Sequence, residues 1–360
     1  MKHVDIIQNA RKKISEIDEK ILELIKQREI LASTIGDSKR ILAIADKDKK
    51  REEEVLSKVI NKAQELHLPI KLVTSLQQIL MEISLIRQEQ DRIKKSSIKP
   101  LSILVIGGSG RMGAWLHYFL VQASHKVYVF DKVKPLFKAE YIADLSQAVK
   151  NKDVIIFATP IRITKDLLNK TEYFDKNTVL FDIASVKSPL EKALYDLKNQ
   201  GYLVTSLHPL FGPSVEYLSG KHIICTSLGC LSADNIAKSL FSNTCLKIID
   251  MSFVEHDKIM SYLLTLSHAV NLIFGFCFKN AKFSIDFLNS FCSTTFYNQA
   301  MITQKVFAEN PHLYFEIQKL NPYSKNIYQD IKSSMDLLFN TILHNKEDDF
   351  VSFIKDFKYD

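Results

Sequence analysis

Up to residue 92 the apolar positions recur at intervals of three and four. Ile14, Ile17, Ile21, Leu24 and Ile25 form one such stripe, the signature of a helix that buries one face. The pattern predicts a first helix from Val4 to Leu42, a second from Lys49 to Leu66 and, beyond Pro69, a third from Val73 to Ile93. The first is longer than a globular fold usually needs, which points to a coiled partner. Lys94-Lys-Ser-Ser-Ile-Lys-Pro100 then reads as a short basic linker ending in proline. From Ile103 the pattern changes to short apolar runs separated by helical stretches. Ile103–Ile106, Lys126–Phe130, Val154–Ala158, Val179–Asp182 and Tyr202–Thr205 read as strands, and their alternation with helices predicts a mostly parallel sheet. After residue 250 the spacing is helical again, with many Phe, Leu and Ile. The longest apolar run, Tyr262 to Phe278, is interrupted by Ser267, His268 and Asn271. It reads as a buried helix, not a membrane span.

The first strand ends in a glycine cluster, Ile103-Leu-Val-Ile-Gly-Gly-Ser-Gly-Arg-Met-Gly113, and a helical pattern resumes at Ala114. Gly108, Gly110 and Gly113 fit G-x-G-x-x-G in a strand–turn–helix context. The first permits the turn, the second lets backbone approach a pyrophosphate, and the third lets helix pack on strand. Asp131 closes the second strand, at the spacing of an acid that binds a ribose 2′-hydroxyl. A carboxylate there repels a 2′-phosphate and so favours NAD over NADP; Lys132 and Lys134 temper that preference.

At 360 residues, with 46% hydrophobic and 25% charged, two or three globular domains are expected. The formal charge is +7, and residues 1–100 carry 21 Lys and Arg against 16 Asp and Glu. This excess is interspersed with acids. It suits small anionic ligands better than a nucleic-acid track, which needs a clustered basic face. The five cysteines, Cys225, Cys230, Cys245, Cys277 and Cys292, form no C-x-x-C pair. Free thiols in a reducing cytoplasm are expected, and no zinc site. From the polar N-terminus no signal peptide is expected.

The N-terminal helices carry Arg11, Arg28, Lys39, Asp48-x-x-Arg51-Glu52 and Ser84-x-x-x-Gln88. Lys39 lies about three turns from Arg28; Asp48, Arg51 and Glu52 share a face, as do Ser84 and Gln88. Arg11 lies about 25 Å from Arg28 along a helix, too far for one small ligand. This set resembles the all-helical chorismate mutase family. The resemblance implies that Arg11 and Arg28 grip carboxylates, with Arg11 serving the partner chain's site in an intertwined dimer. Arg51 would assist, and Lys39 and Gln88 would donate to the ether oxygen. Asp48, Glu52 and Ser84 would hold the ring hydroxyl and other polar groups. The rearrangement of chorismate to prephenate needs no base, nucleophile or metal, only a clamp on the reactive chair and donors where charge develops.

Beyond the glycine turn, the strand ends carry Thr159-Pro160, Asp182-Ile-Ala-Ser-Val-Lys187 and Ser206-Leu-His-Pro-Leu-Phe-Gly-Pro213. These resemble the prephenate dehydrogenase family, and the order of the two halves resembles the bifunctional chorismate mutase/prephenate dehydrogenase, or T-protein, family. The resemblance implies NAD as cofactor and His208 as the group accepting a hydrogen bond from the substrate hydroxyl as its carbonyl forms. Lys187 would meet a carboxylate, with Ser185 lining the same cleft. Thr159 stands where relatives often have a serine; a strand-end cap is an equal reading. Val254-Glu-His-Asp257 and Leu266-Ser-His-Ala269 match the family's dimerising domain. His268 would approach substrate, and His256 and Asp257 would be structural helpers. Tyr297 takes the place of an arginine by which relatives grip prephenate, and no arginine follows Arg162.

The expectation is therefore a multi-domain α and α/β protein. Residues 1–95 form an all-helical chorismate mutase domain, 96–100 a linker, and 101–250 a doubly wound Rossmann-like NAD domain. Residues 251–360 form a helical substrate and dimerisation domain. The expected protein is a cytoplasmic homodimer acting on chorismate and prephenate, without nucleic-acid or membrane partners. Two alternatives are a mutase fused to a weak or inactive dehydrogenase, and N-terminal helices that serve only dimerisation or regulation.

Overall fold

The computed structural model describes residues 2–42, 49–94, 99–279, 281 and 283–356. The N-terminal part is three helices, α1 (Lys2–Ile41), α2 (Lys49–Glu65) and α3 (Ile70–Lys94). The chain leaves α2 through His67, whose φ of 53° is left-handed, a helix-ending conformation that glycine adopts more readily. Helix α3 starts three residues earlier than the apolar pattern suggests. The Pro69 carbonyl accepts from the amides of Leu72 and Val73, both at 3.1 Å, so proline opens the helix where its own missing N–H costs nothing. Ala32, Ala63 and Ile93 are buried, but Ile14, Ile17 and Leu24 are 57%, 55% and 61% exposed. The stripe that defined α1 in the sequence is thus uncovered within one chain.

The central part is α/β. Its elements are β1 (Ser102–Ile106), α4 (Arg111–Gln122), β2 (Lys126–Phe130), β3 (Glu140–Tyr141), α5 (Leu145–Ala148), β4 (Val154–Phe157) and α6 (Ile161–Leu168). There follow β5 (Val179–Asp182), α7 (Ser188–Asn199), β6 (Leu203–Pro209), β7 (His222–Cys225), α8 (Leu231–Ser239) and β8 (Lys247–Asp250). The strand order is β3-β2-β1-β4-β5-β6-β7-β8, whose first six positions are the doubly wound order. Strands β1 and β2 pair in parallel with Ile106 opposite Phe130, and β5 and β6 with Asp182 opposite Ser206. Ile103–Ile106, Val154–Phe157 and Val179–Phe181 are at most 1% exposed, as expected of strands covered on both faces. Strand β6 continues past the expected Thr205 to Pro209. The Leu207 side chain is fully buried, and Pro209, which has no N–H to give to the ladder, is the last residue of the strand.

The remainder is helical: α9 (Phe253–Met260), a π-helical turn (Ser261–Leu266), α10 (Ser267–Lys279), α11 (Ile285–Asn289), α12 (Thr294–Phe307), α13 (Pro311–Leu320), α14 (Ser324–Leu343) and α15 (Glu347–Lys355). Phe253–Phe278 is long and apolar enough to cross a membrane by length and composition, and 22% of its most apolar window is buried. The expectation of a buried helix is therefore met on one face only. Thr265 and Asn271 on that face bond Ser324 and Thr303, while Tyr262, Leu263 and Phe276 are more than half exposed.

The chain forms two compact units, Met1–Val154 with Pro209–Ile223 and Asn235–Ile249, and Ile155–His208 with Ile224–Asp234 and Asp250–Asp360.

Candidate active sites

The polar positions of the N-terminal helices are brought together mainly on the facing sides of α1 and α3. Arg28 reaches across to donate to the Leu80 carbonyl and the Ser84 hydroxyl. Burial pushes its guanidinium pKa below the ordinary value, but arginine stays charged under all ordinary conditions. Gln88 follows Ser84 by one turn and is buried; its Oε1 has no hydrogen-bond partner among the described residues. Gly36 of α1 packs on it so tightly that a Cβ there would lie 2.8 Å from Gln88 Cγ. Lys39, three residues beyond Gly36, is half-buried. On α2, Glu52 is half-buried and Arg51 is exposed, bonding Glu54 at 3.1 Å. Arg11 is exposed on the far part of α1. Asp48 lies outside the described residues.

The glycine turn is built by packing. Gly107 carries a φ of 84°, so the left-handed residue precedes the three glycines read from the sequence. A Cβ on Gly108 would lie 2.5 Å from Val129 Cγ1, and one on Gly113 would lie 2.2 Å from the Gly107 carbonyl oxygen. Helix α4 therefore starts directly on the strand. Its N-cap, Gly110, provides no side-chain cap, which leaves the first amides able to meet an anion. Asp131 Oδ2 accepts from the Ser109 amide at 3.0 Å and the Ser109 hydroxyl donates to the Val133 carbonyl at 2.6 Å. These bonds tie the acid at the end of β2 to the turn.

At the end of β6, His208 begins a buried chain of hydrogen bonds. Its Nδ1 lies 2.9 Å from His256 Nε2, and His256 Nδ1 lies 2.7 Å from Asp257 Oδ1. Asp257 also accepts from the Lys187 amide at 2.9 Å, from the Ser188 amide at 2.8 Å and from the Ser188 hydroxyl. Burial acts upward on this carboxyl, but these donors together hold its pKa below the ordinary value. A carboxylate can only accept, so His256 carries its proton on Nδ1 and offers Nε2 as an acceptor. His208 then donates from Nδ1 and presents an unprotonated Nε2. Burial, then the neighbouring His256 and Lys187, push the His208 pKa well below 6.5, which keeps this ring neutral at neutral pH.

Lys187 departs from the expectation that it meets a substrate carboxylate. Its side chain is fully buried; the ammonium lies 2.8 Å from Asp182 Oδ1 and 2.7 Å from the Leu207 carbonyl. The ion pair and the carbonyl between them engage the charge inside the fold. The Thr159 hydroxyl lies 2.8 Å from that of Thr164, which fits the strand-end reading. His268 is half-buried, with its ring centroid 4.2 Å from that of Tyr314 and its Nδ1 unpartnered among the described residues. Burial lowers its pKa to about 4. Tyr297 is 48% exposed on α12.

Three family models match successive parts of the chain: chorismate mutase type II over residues 10–89, the prephenate dehydrogenase nucleotide-binding domain over 132–228, and the prephenate dehydrogenase dimerization domain over 253–356. A chorismate mutase of Methanocaldococcus jannaschii is 32% identical over 87 residues, 24% of this chain and 88% of that protein. The T-protein of Haemophilus influenzae is 21% identical over 353 residues, covering 98% of this chain and 91% of the relative. A probable arogenate/prephenate dehydrogenase of Methanocaldococcus jannaschii is 26% identical over 267 residues, 71% of this chain and 60% of that protein; the match thus spans less than two thirds of that relative. In fold, the prephenate dehydrogenase of A. aeolicus, solved with hydroxyphenyl propionate and NAD+, superposes with a TM-score of 0.58 at 19% identity. It covers 72% of this chain and 96% of that one. The chain belongs to the type II chorismate mutase family through its N-terminal helices and to the prephenate dehydrogenase family through the rest, the bifunctional organisation of the T-proteins.

Proposed function

We propose that this chain rearranges chorismate to prephenate on its N-terminal helices and oxidatively decarboxylates prephenate to 4-hydroxyphenylpyruvate in the remainder, as a homodimer. The observation that carries the reading is the convergence of Arg28, Ser84 and Gln88 along α1 and α3, on the same chain as an uncapped glycine turn and a neutral, oriented histidine. In the first reaction, Arg28 holds a substrate carboxylate, and Lys39 and Gln88 donate to the ether oxygen, where charge develops as the bond breaks. Ser84, Glu52, Arg51 and Asp48 complete the polar contacts. Arg11 serves the partner's site, being too far along α1 to serve its own.

For the second reaction, the residues present fit a dinucleotide. Gly108 and Gly113 leave no room for a side chain, no side chain of the N-cap Gly110 caps α4, and Asp131 stands at the end of β2 to accept a ribose hydroxyl. When bound, NAD supplies the hydride acceptor. His208 accepts a hydrogen bond at Nε2 from the substrate's ring hydroxyl and takes its proton as the carbonyl forms. His256 and Asp257 hold that ring in the accepting tautomer. His268, kept neutral by burial, lines the substrate side.

A second reading, a working mutase joined to a weak dehydrogenase, is favoured by the inward-turned Lys187 and by Tyr297 in place of an arginine. An ammonium elsewhere is a poorer partner for a carboxylate than a guanidinium. Paired assays of the full-length protein test both readings. Chorismate loss that vanishes in Lys39→Ala or Gln88→Ala, with NADH formation spared, supports the first site. NADH formation from prephenate that vanishes in His208→Asn, with the rearrangement spared, supports the second. A folded protein that makes prephenate but no NADH at saturating prephenate and NAD establishes the second reading.

A further inference from the structure

Glu89, next to Gln88, is 3% exposed, unusual for a carboxylate on a helix of a small bundle. Its oxygens are engaged by backbone amides remote in sequence. Oε2 accepts from Leu218 at 2.6 Å, in the segment after β6, and Oε1 accepts from Cys245 at 3.1 Å, in the segment before β8. One turn further, Arg92 donates to the Cys245 sulfur at 3.5 Å. Helix α3 is thus fastened to two segments of the α/β part that fold in the same compact unit as the N-terminal helices. The Leu218 segment is itself fixed: Trp115 of α4 donates to the Val215 carbonyl at 3.3 Å and packs edge-on against Phe211 at 5.1 Å. Cys245 lies close enough to Arg92, Glu89 and Lys39 for each to act on its thiol, which burial pushes up. Gln88 is therefore held on one side by the close contact with Gly36 and on the other by the fastening of its neighbour.

We propose that Glu89 is a positioning residue for the rearrangement: by gripping the Leu218 and Cys245 amides it sets the rotation of α3 that aims Gln88 at the substrate. The proposal rests on the assignment of Gln88 as a donor. Because a helix turns about 100° per residue, a small rotation of α3 at Glu89 moves the neighbouring amide sideways. A misplacement of about 1 Å at a reacting group costs on the order of 100-fold in rate. A second helix residue that merely packs would affect stability without selecting one kinetic constant.

The test uses the full-length chain and begins with wild type and Gln88→Ala. If wild type does not rearrange chorismate, or Gln88→Ala leaves the rate unchanged, the site assignment fails, before Glu89 is examined. With that assignment in place, Glu89→Ala is expected to lower kcat for the rearrangement about 10- to 100-fold, with KM for chorismate within about twofold. Glu89→Gln, which keeps one acceptor oxygen, is expected to recover part of the loss. Helix content by circular dichroism and NADH formation are followed in the same variants. An unchanged kcat in folded Glu89→Ala overturns the proposal. So does a rise in KM equal to the fall in kcat/KM, or a parallel loss of both activities and of helix content.

Discussion

At the scale of single residues, the dehydrogenase half is governed by where protons sit. Asp257 accepts a hydrogen bond from His256 Nδ1, His256 Nε2 accepts one from His208 Nδ1, and His208 Nε2 is left as a base. In Asp257→Asn the amide can donate to His256 Nδ1, reversing the chain and placing the His208 proton on Nε2. NADH formation from prephenate is expected to fall about 10²–10⁴-fold, the usual worth of a positioned base, while the rearrangement stays within about twofold; steady-state assays of both reactions check this. His208 and His268 both have folded-state pKa values below 6.5. The unfolded chain therefore binds more protons as the pH falls, so stability is present above about 6.5 and is lost toward acid, for His268 down to about 4. Thermal melts between pH 7.5 and 4.5 should show a falling midpoint, and His268→Phe should flatten the curve. In these regions the sequence shows spacing along an element better than contacts between elements. The helical spacing that puts Ser84 and Gln88 on one face was legible in the sequence. The inward turn of Lys187 was not, because its partners Asp182 and Leu207 come from different strands. Glu89 looked like any polar helix position, since backbone amides 129 and 156 residues away leave no mark on the local pattern.

At the scale of elements, the glycine turn was the most legible feature, since packing imposes its glycines. Gly113→Ala would bring a Cβ to 2.2 Å from a backbone carbonyl, where neither atom can rotate away. Strain of about 1–3 kcal/mol and a weakening of NAD binding by about tenfold or more are expected, measured by fluorescence titration; the rearrangement rate should not change. The π-helical turn at Ser261–Leu266 was invisible beforehand. Its residues have an ordinary helical apolar spacing, and only the wider winding, with bonds five residues apart, separates it from its neighbours. It lies between the His256–Asp257 pair and His268, so it sets the angle between them about the helix axis. The start of α3 just after Pro69 shows the limit of proline as punctuation. It marks a boundary without saying on which side the element lies.

At the scale of the molecule, exposed apolar surface is the main unsatisfied feature. Ile14, Ile17, Ile21 and Leu24 on α1, and Tyr262, Leu263 and Phe276 on the C-terminal helices, are open in one chain. A stripe of this kind on a long helix calls for a matching helix from a second copy. The double substitution Ile17→Glu and Ile21→Lys is expected to weaken dimerisation, read by light scattering as a lower mass at micromolar concentration. Chorismate turnover should fall with it, since Arg11 would no longer reach a partner's site. The division of the fold into units built from discontinuous segments has a further consequence for how the protein is made. The acid of α3 is translated first, and the second of its amide partners emerges 156 residues later. At about 5–20 residues per second, the nascent helical bundle stays unclasped for on the order of ten seconds, so the half of the enzyme that is synthesised first waits for much of the second before α3 is fastened.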